Sequence, residues 1–256
     1  MIKIAEAFSS GKAFIPFITC GDPDLETTGE LIKKMSESGA DLIELGIPFS
    51  DPTAEGPVIQ EANIRALSKG TTTDKIFDMV KSIRNEIAVP LVFMTYANVV
   101  FSYGTESFVK KAAECGMAGL ILPDVPYEEK GEFEEVCEKY GLELISLIAP
   151  TSKDRIEMIA KNAKGFIYCV SSLGVTGVRN SFSTDISDVT KHIKAASDIP
   201  CAIGFGISTP EQAKKMSVYS DGVIVGSAIV KIIAKYGKNC IEPVCSYVKE
   251  MKKAVS

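Results

Sequence analysis

Tryptophan is absent from this 256-residue chain, histidine occurs once, and no block of lysine or arginine interrupts a composition whose formal net charge is −5. Each absence removes a class of function. An acidic chain without a basic stripe has no electrostatic footprint for nucleic acid or for an anionic membrane surface. The lone histidine, His192, lies between Lys191 and Lys194 with no Cys, His or carboxylate set at metal spacing around it, so a zinc site is disfavoured. Seven cysteines, an odd number with no C-x-x-C pair, point to reduced core thiols rather than a disulfide framework. No apolar run reaches the roughly 18–20 residues of a spanning helix, and the first residues lack a basic region followed by an apolar stretch and a cleavage site. The expectation is a cytoplasmic protein whose partners are small molecules or other proteins.

What is present is a repeating pattern. Short apolar, β-branched runs predict strands near Phe14–Thr19, Leu42–Gly46, Leu91–Thr95, Gly119–Leu122, Leu144–Ile148, Phe166–Val170, Cys201–Gly204 and Val223–Val225. Helical periodicity falls between them, over Leu25–Ser38, Asp74–Glu86, Thr105–Cys115, Glu128–Tyr140, Lys153–Ala163, Asp185–Ala196, Pro210–Met216 and Ile241–Lys253. Extra helices are expected around Ile2–Phe8 and after Gly56. Strand and helix in alternation require parallel pairing, and eight such units in about 250 residues match an α/β fold of the (β/α)8 TIM barrel type. A doubly wound sheet would usually carry Gly-x-Gly-x-x-Gly after its first strand, whereas this chain has Thr19-Cys-Gly-Asp-Pro23 there. No linker divides the sequence, so residues 1–256 read as one barrel domain.

In such a barrel the chemistry gathers where strands end. Glu44 sits inside the apolar strand Leu42–Gly46 and shares a face with Leu42; if that face is the core, desolvation raises its pKa and makes it a usable acid and base near neutrality. Exposure at the rim or pairing with a lysine is the alternative. The stiff loop that follows, Ile47-Pro-Phe-Ser-Asp-Pro-Thr-Ala-Glu-Gly-Pro57, adds Asp51 and Glu55. Tyr168 shares a face with Phe166 and Val170 just ahead of the long loop Ser171–Thr184, which reads as a lid; plain aromatic packing is the competing reading. Gly204-Phe-Gly-Ile-Ser208 and Gly226-Ser-Ala228, after the last two strands, suggest a phosphate cradle, since glycines admit close backbone and helix-start N–H groups favour anions. No strand ends in lysine, which disfavours Schiff-base chemistry. Carboxylate acid–base chemistry on a phosphorylated substrate remains, with Phe17, Phe49 and Phe205 able to line a slot for a flat aromatic group or simply to fill core.

Several ordered motifs then coincide: Phe14-Ile-Pro-Phe-Ile-Thr-Cys-Gly-Asp-Pro23, Glu44-Leu-Gly-Ile-Pro-Phe-Ser-Asp-Pro52, Gly56-Pro-Val-Ile-Gln60, Tyr96-Ala-Asn98, Gly174-Val-Thr-Gly177, Gly204-Phe-Gly-Ile-Ser208 and Gly226-Ser227. Together they resemble the alpha subunit family of tryptophan synthase, from the first strand to the final helices. The resemblance implies a lyase that splits indole-3-glycerol phosphate into indole and glyceraldehyde 3-phosphate by a retro-aldol step. It implies Glu44 as the acid–base residue and Glu55 as the second carboxylate, at a position where the family has aspartate. It further implies Tyr168 beside Glu44, Thr176 as the lid residue that contacts the second carboxylate, Gly177, Gly206, Gly226 and Ser227 at the phosphate, and Phe17 and Thr95 on the indole wall; Phe205 belongs to the same expected substrate site.

No cofactor is expected in this chain. The resemblance implies a beta subunit as partner, in an alpha-beta-beta-alpha complex, with pyridoxal phosphate confined to that partner and indole passed to it internally. Two other readings stay open at this point: another phosphate-binding barrel enzyme, and a weakly catalytic subunit whose main task is to bind and activate its partner.

Overall fold

The strands are largely apolar on both faces because they are covered on both faces. In the computed structural model, which describes residues 2–170, 185–204 and 206–256, all seven residues of β1 (Ala13–Thr19) are buried. Phe14 and Ile18 pack outward against helices, while Ile15 and Phe17 point inward. Near-continuous hydrophobic strands of this kind belong to parallel sheets sandwiched between layers.

The other strands described are β2 (Ile43–Gly46), β3 (Leu91–Met94), β4 (Gly119–Ile121), β5 (Glu143–Leu144), β6 (Ser146–Ile148), β7 (Ile167–Val170), β8 (Cys201–Gly204) and β9 (Gly222–Val225). All pair in parallel, in the order β5-β4-β3-β2-β1-β9-β8-β7-β6. The two ends of that order are one stretch of chain, because Ile145 alone separates β5 from β6. Its N–H donates to the Leu120 carbonyl at 2.9 Å, so the sheet curls into a barrel in which β5 and β6 share the fifth position. The single strand expected over Leu144–Ile148 is thus split, its first half bonding to β4 and its second to β7.

Helices α1 (Leu25–Glu37), α2 (Pro57–Ser68), α3 (Thr73–Ile83), α4 (Ala97–Tyr103), α5 (Thr105–Glu114), α6 (Gly131–Tyr140), α7 (Lys153–Lys161), α8 (Asp185–Ala196), α9 (Pro210–Ser217), α10 (Ser227–Tyr236) and α11 (Ile241–Val255) connect and surround the strands. Their starts follow local rules: the Asp24 carboxylate caps α1 by accepting the Thr27 N–H at 2.8 Å, and Pro57 opens α2 where its missing N–H costs nothing. Helix α4 lacks such a local signal. Its Ala97 N–H is received by the Asp124 carboxylate, at 3.0 and 3.1 Å, from the loop after β4.

The expected N-terminal helix is a 3-10 turn, Ile4–Phe8, which closes the end of the barrel where strands begin. Ile4 packs there with Ile15, Leu42, Val92 and Phe166 in the inner core. The seven cysteines are all free and buried, and His192 lies half-buried on α8. Among the described residues no helix is long and apolar enough to cross a membrane, and no group of three or more His, Cys, Asp or Glu is placed to hold a metal ion.

Candidate active site

Alternation along β2 decides where Glu44 points. Leu42 belongs to the inner core with Val92, Phe166 and Tyr168, whereas Ile43 and Leu45 belong to the outer layer under the helices. Glu44 therefore enters the barrel, level with Phe17 on β1 and Val92 on β3, and is 1% exposed. Its Oε1 has no hydrogen-bond partner among the described residues. Burial holds its pKa well above the ordinary carboxylate range, because the anion has lost water without gaining a donor at that oxygen.

Tyr168 enters from β7 and is 5% exposed. Burial first, and the Glu44 charge second, push its phenol upward, so it is a neutral hydroxyl near that carboxylate. Two glycines make room for the inward rings. A Cβ on Gly204 would fall 2.6 Å from the Tyr168 hydroxyl, and one on Gly46 would fall 2.5 Å from Cζ of Phe17. Only residues without side chains fit at these strand ends.

Glu55 approaches from the β2–α2 loop. Asn63 on α2 donates from Nδ2 to Glu55 Oε2 at 2.7 Å, and the Tyr96 hydroxyl bonds to the same side chain while accepting the Ala54 N–H at 3.1 Å. Burial raises Glu55 to about 7 against the opposing pull of these two donors. Tyr96 stacks on Phe49 with ring centroids 5.4 Å apart, which ties the loop to the end of β3. Helix α2 is itself anchored: Arg65 donates from Nε and Nη2 to the two carboxylate oxygens of Asp22, each at 2.8 Å, and Asp22 is buried at the end of β1.

Glu44, Glu55, Phe17, Tyr96 and Tyr168 line one cavity of about 730 Å³, open mouth included. Met94, Leu147 and Ile224 give it apolar walls. Gly206, Gly226 and Ser227 form the remaining wall. There the ten-residue helix α10 begins at Ser227 with no acidic residue in its first turn, and Gly206 has φ +80°. Unsatisfied N–H groups and the positive end of the helix dipole make this wall suited to an anion.

Seven of the residues singled out from the sequence thus meet in one place: Phe17, Glu44, Glu55, Tyr168, Gly206, Gly226 and Ser227. Thr95 is different. It is buried, its hydroxyl without a partner among the described residues, but its neighbours Met94 and Tyr96 line the cavity and it does not. Thr176, Gly177 and Phe205, and the whole loop Ser171–Thr184 read as a lid, lie outside the described residues. Tyr96 and Asn63 were not anticipated as site residues. Tyr96 lies two residues beyond the end of β3, and that position was its signal; Asn63 had none, since its contact depends on how α2 folds back over the loop.

Comparison with known proteins agrees with this geometry. Residues 5–256 match the family described as tryptophan synthase alpha chain. The chain is 49% identical to a tryptophan synthase alpha chain of Lacticaseibacillus casei over 255 residues, covering 100% of this chain and 96% of that one. It is 50% identical to the one from Thermoanaerobacter sp. (strain X514), covering 95% and 94%. Among solved structures, a Mycobacterium tuberculosis tryptophan synthase chain superposes with a TM-score of 0.90 at 32% identity, covering 99% of this chain and 98% of that chain. A buried acid in a barrel with an anion-binding wall, and a family match over nearly every residue, converge: the chain belongs to the tryptophan synthase alpha chain family, whose activity is the lyase cleavage of indole-3-glycerol phosphate.

Proposed function

We propose that Glu44 and Glu55 carry out that cleavage in this chain, on a substrate whose phosphate rests against Gly206, Gly226 and Ser227. Glu44 in its protonated form donates to indole C3, which places positive charge on the ring nitrogen. Glu55 accepts the indole N–H and stabilises that charge as it develops. The resulting Glu44 carboxylate takes the proton of the glycerol hydroxyl next to the ring. As the C–O bond becomes a carbonyl, the bond from C3 to the glycerol carbon breaks and its electron pair returns to the ring, giving indole and glyceraldehyde 3-phosphate. No metal or covalent intermediate is needed for this sequence.

The observation that carries the reading is the buried Glu44 carboxylate, with one oxygen unpartnered among the described residues, in an apolar-walled cavity that ends at a helix start. A raised pKa suits a group that must first give and then take a proton. Phe17 supports the same reading as a wall for the indole ring, and Tyr168 as the neutral hydroxyl beside Glu44. Thr176 and Gly177 keep the roles that family resemblance gives them, lid contact and phosphate, and Phe205 its expected place in the substrate site; Thr95, buried between Met94 and Tyr96, backs the wall rather than lining it.

The family works with a beta subunit, to which the pyridoxal phosphate belongs. An alpha-beta-beta-alpha assembly, one barrel domain over residues 1–256 and a cytoplasmic setting are parts of the same proposal; seven buried free thiols support the last. Indole release from indole-3-glycerol phosphate, measured with and without beta subunit, tests the assignment. Absence of release in both conditions would contradict it.

A further inference from the structure

Glu55 is not loose in the cavity. Its carboxylate is gripped by one side chain of its own following helix, Asn63 at 2.7 Å, and by Tyr96 from the end of β3. Asn63 is 4% exposed, so its amide is withdrawn from water and committed to this contact. Two residues further along α2, Arg65 locks the helix to buried Asp22. The position of the Asn63 amide is therefore fixed from β1, and the loop that carries Glu55 is fixed by Asn63. Gln60 adds a second tie by donating from Nε2 to the Glu55 carbonyl at 2.8 Å.

We propose that Asn63 is a positioning residue of the reaction: its amide donor holds the Glu55 carboxylate in one rotamer, facing where the indole N–H must be received, and stabilises the anion there. The inference rests on the role assigned to Glu55 above. A neutral donor suits this task. It stabilises the anion without cancelling its charge, so the charge remains for the substrate.

The groups that face Glu55 from the packed elements bear this out. Tyr96 faces it from the β3–α4 junction, and Glu44 and Tyr168 face the same cavity from β2 and β7. Asp124, from the loop after β4, is bound to the Ala97 N–H next to Tyr96. On α2, Arg65 is turned to Asp22 and Glu61 is exposed. Among the described residues the charge on Glu55 is held by the Asn63 and Tyr96 donors rather than by a cation, and burial opposes it. Loss of either donor moves the group toward its neutral form.

The experiment is a pH profile of indole release for wild type, Asn63→Ala and Asn63→Ser, together with thermal unfolding of the same proteins and of Glu55→Gln from pH 5 to 8. Asn63→Ala is expected to move the acidic limb of kcat/KM up by about one pH unit, the worth of one hydrogen bond to a charged group, and to lower kcat more than it raises KM. Asn63→Ser, which retains a donor, is expected to recover part of the shift. A uniform loss of activity with the limb unmoved would overturn the proposal and leave Asn63 a purely structural residue. Should Asn63→Ala fail to fold, Asn63→Leu removes the donor at nearly constant volume and carries the same expectation.

Unfolding separates this inference from the reading beneath it. The fall in Tm with rising pH that Glu55 causes is expected to extend to higher pH in Asn63→Ala and to vanish when Glu55→Gln is added. Wild type that releases no indole yet keeps that pattern would remove the role of Glu55 in the reaction, and with it the proposal. Active wild type without the pattern would remove only Asn63.

Discussion

The ring of Phe17 occupies the space that a side chain on Gly46 would need: an added Cβ would stand 2.5 Å from Cζ and 2.8 Å from Cε2. These residues sit on neighbouring strands, with Phe17 in register with Glu44 and Gly46 two places further along β2. The glycine thus lets an aromatic face lie beside the acid instead of being pushed into the cavity.

Gly46→Ala is expected to displace Phe17 and reduce kcat/KM for indole release by at least about tenfold, with a stability loss of about 1–3 kcal/mol from overpacking. Steady-state kinetics and denaturant unfolding check this. Unchanged kinetics with an equal loss of stability would mean that Phe17 fills core and does not shape the site.

Gly204 stands in the same relation to Tyr168, where an added Cβ would lie 2.6 Å from the hydroxyl. Gly204→Ala is expected to impair activity more than Tyr168→Phe does, because the methyl pushes a whole ring against Glu44 while the second change removes one oxygen. Comparing the two kcat values decides the point. The reverse order would show that the hydroxyl itself is the essential element.

Glu55 titrates at about 7 in the folded chain against an ordinary value of 4.5. Its neutral form is the one that folding favours, so its contribution to stability is fully present below about pH 4.5 and is lost as pH rises through 7. Relative to Glu55→Gln, wild type is expected to lose on the order of 2 kcal/mol between pH 5 and pH 8, a figure reduced for partial exposure. Parallel pH–stability curves for the two proteins would contradict this placement of the carboxylate.

Arg65→Ala leaves the buried Asp22 carboxylate without its bidentate partner. A loss of about 3 kcal/mol is expected, in the range for breaking a buried pair. Activity should fall as well, because α2 carries Asn63. Asp22→Asn combined with Arg65→Gln should recover stability better than either single change, as read by urea unfolding. Simple additivity of the two would argue that the pair does not act as a unit.

The fold was legible because both periods of the chain are strong. Eight strand runs and the main helices fell within a few residues of their positions, and the inward turn of Glu44 followed from its parity with Leu42. The split at Ile145 was not legible, since it arises where one strand changes partner between β4 and β7. Helix α4 was missed because its cap comes from Asp124, 27 residues beyond Ala97. In the site, residues at strand ends could be found by position, whereas Asn63 depends on a helix packing back over its own loop. Thr95 shows the limit of position alone: it was expected as the last residue of its strand and lies just beyond β3, yet Met94 and Tyr96 on either side of it line the cavity and it does not.

Glu44→Gln removes the proton exchange at the centre of the site while keeping its shape and burial. The decisive measurement is indole release from indole-3-glycerol phosphate by wild type and this variant, each with beta subunit present. The expected result is turnover by wild type and a loss of about 10²–10⁴-fold in the variant, the usual weight of a general acid–base group, with thermal stability retained. Equal rates in the two proteins would contradict the assignment of Glu44 as the acid and base.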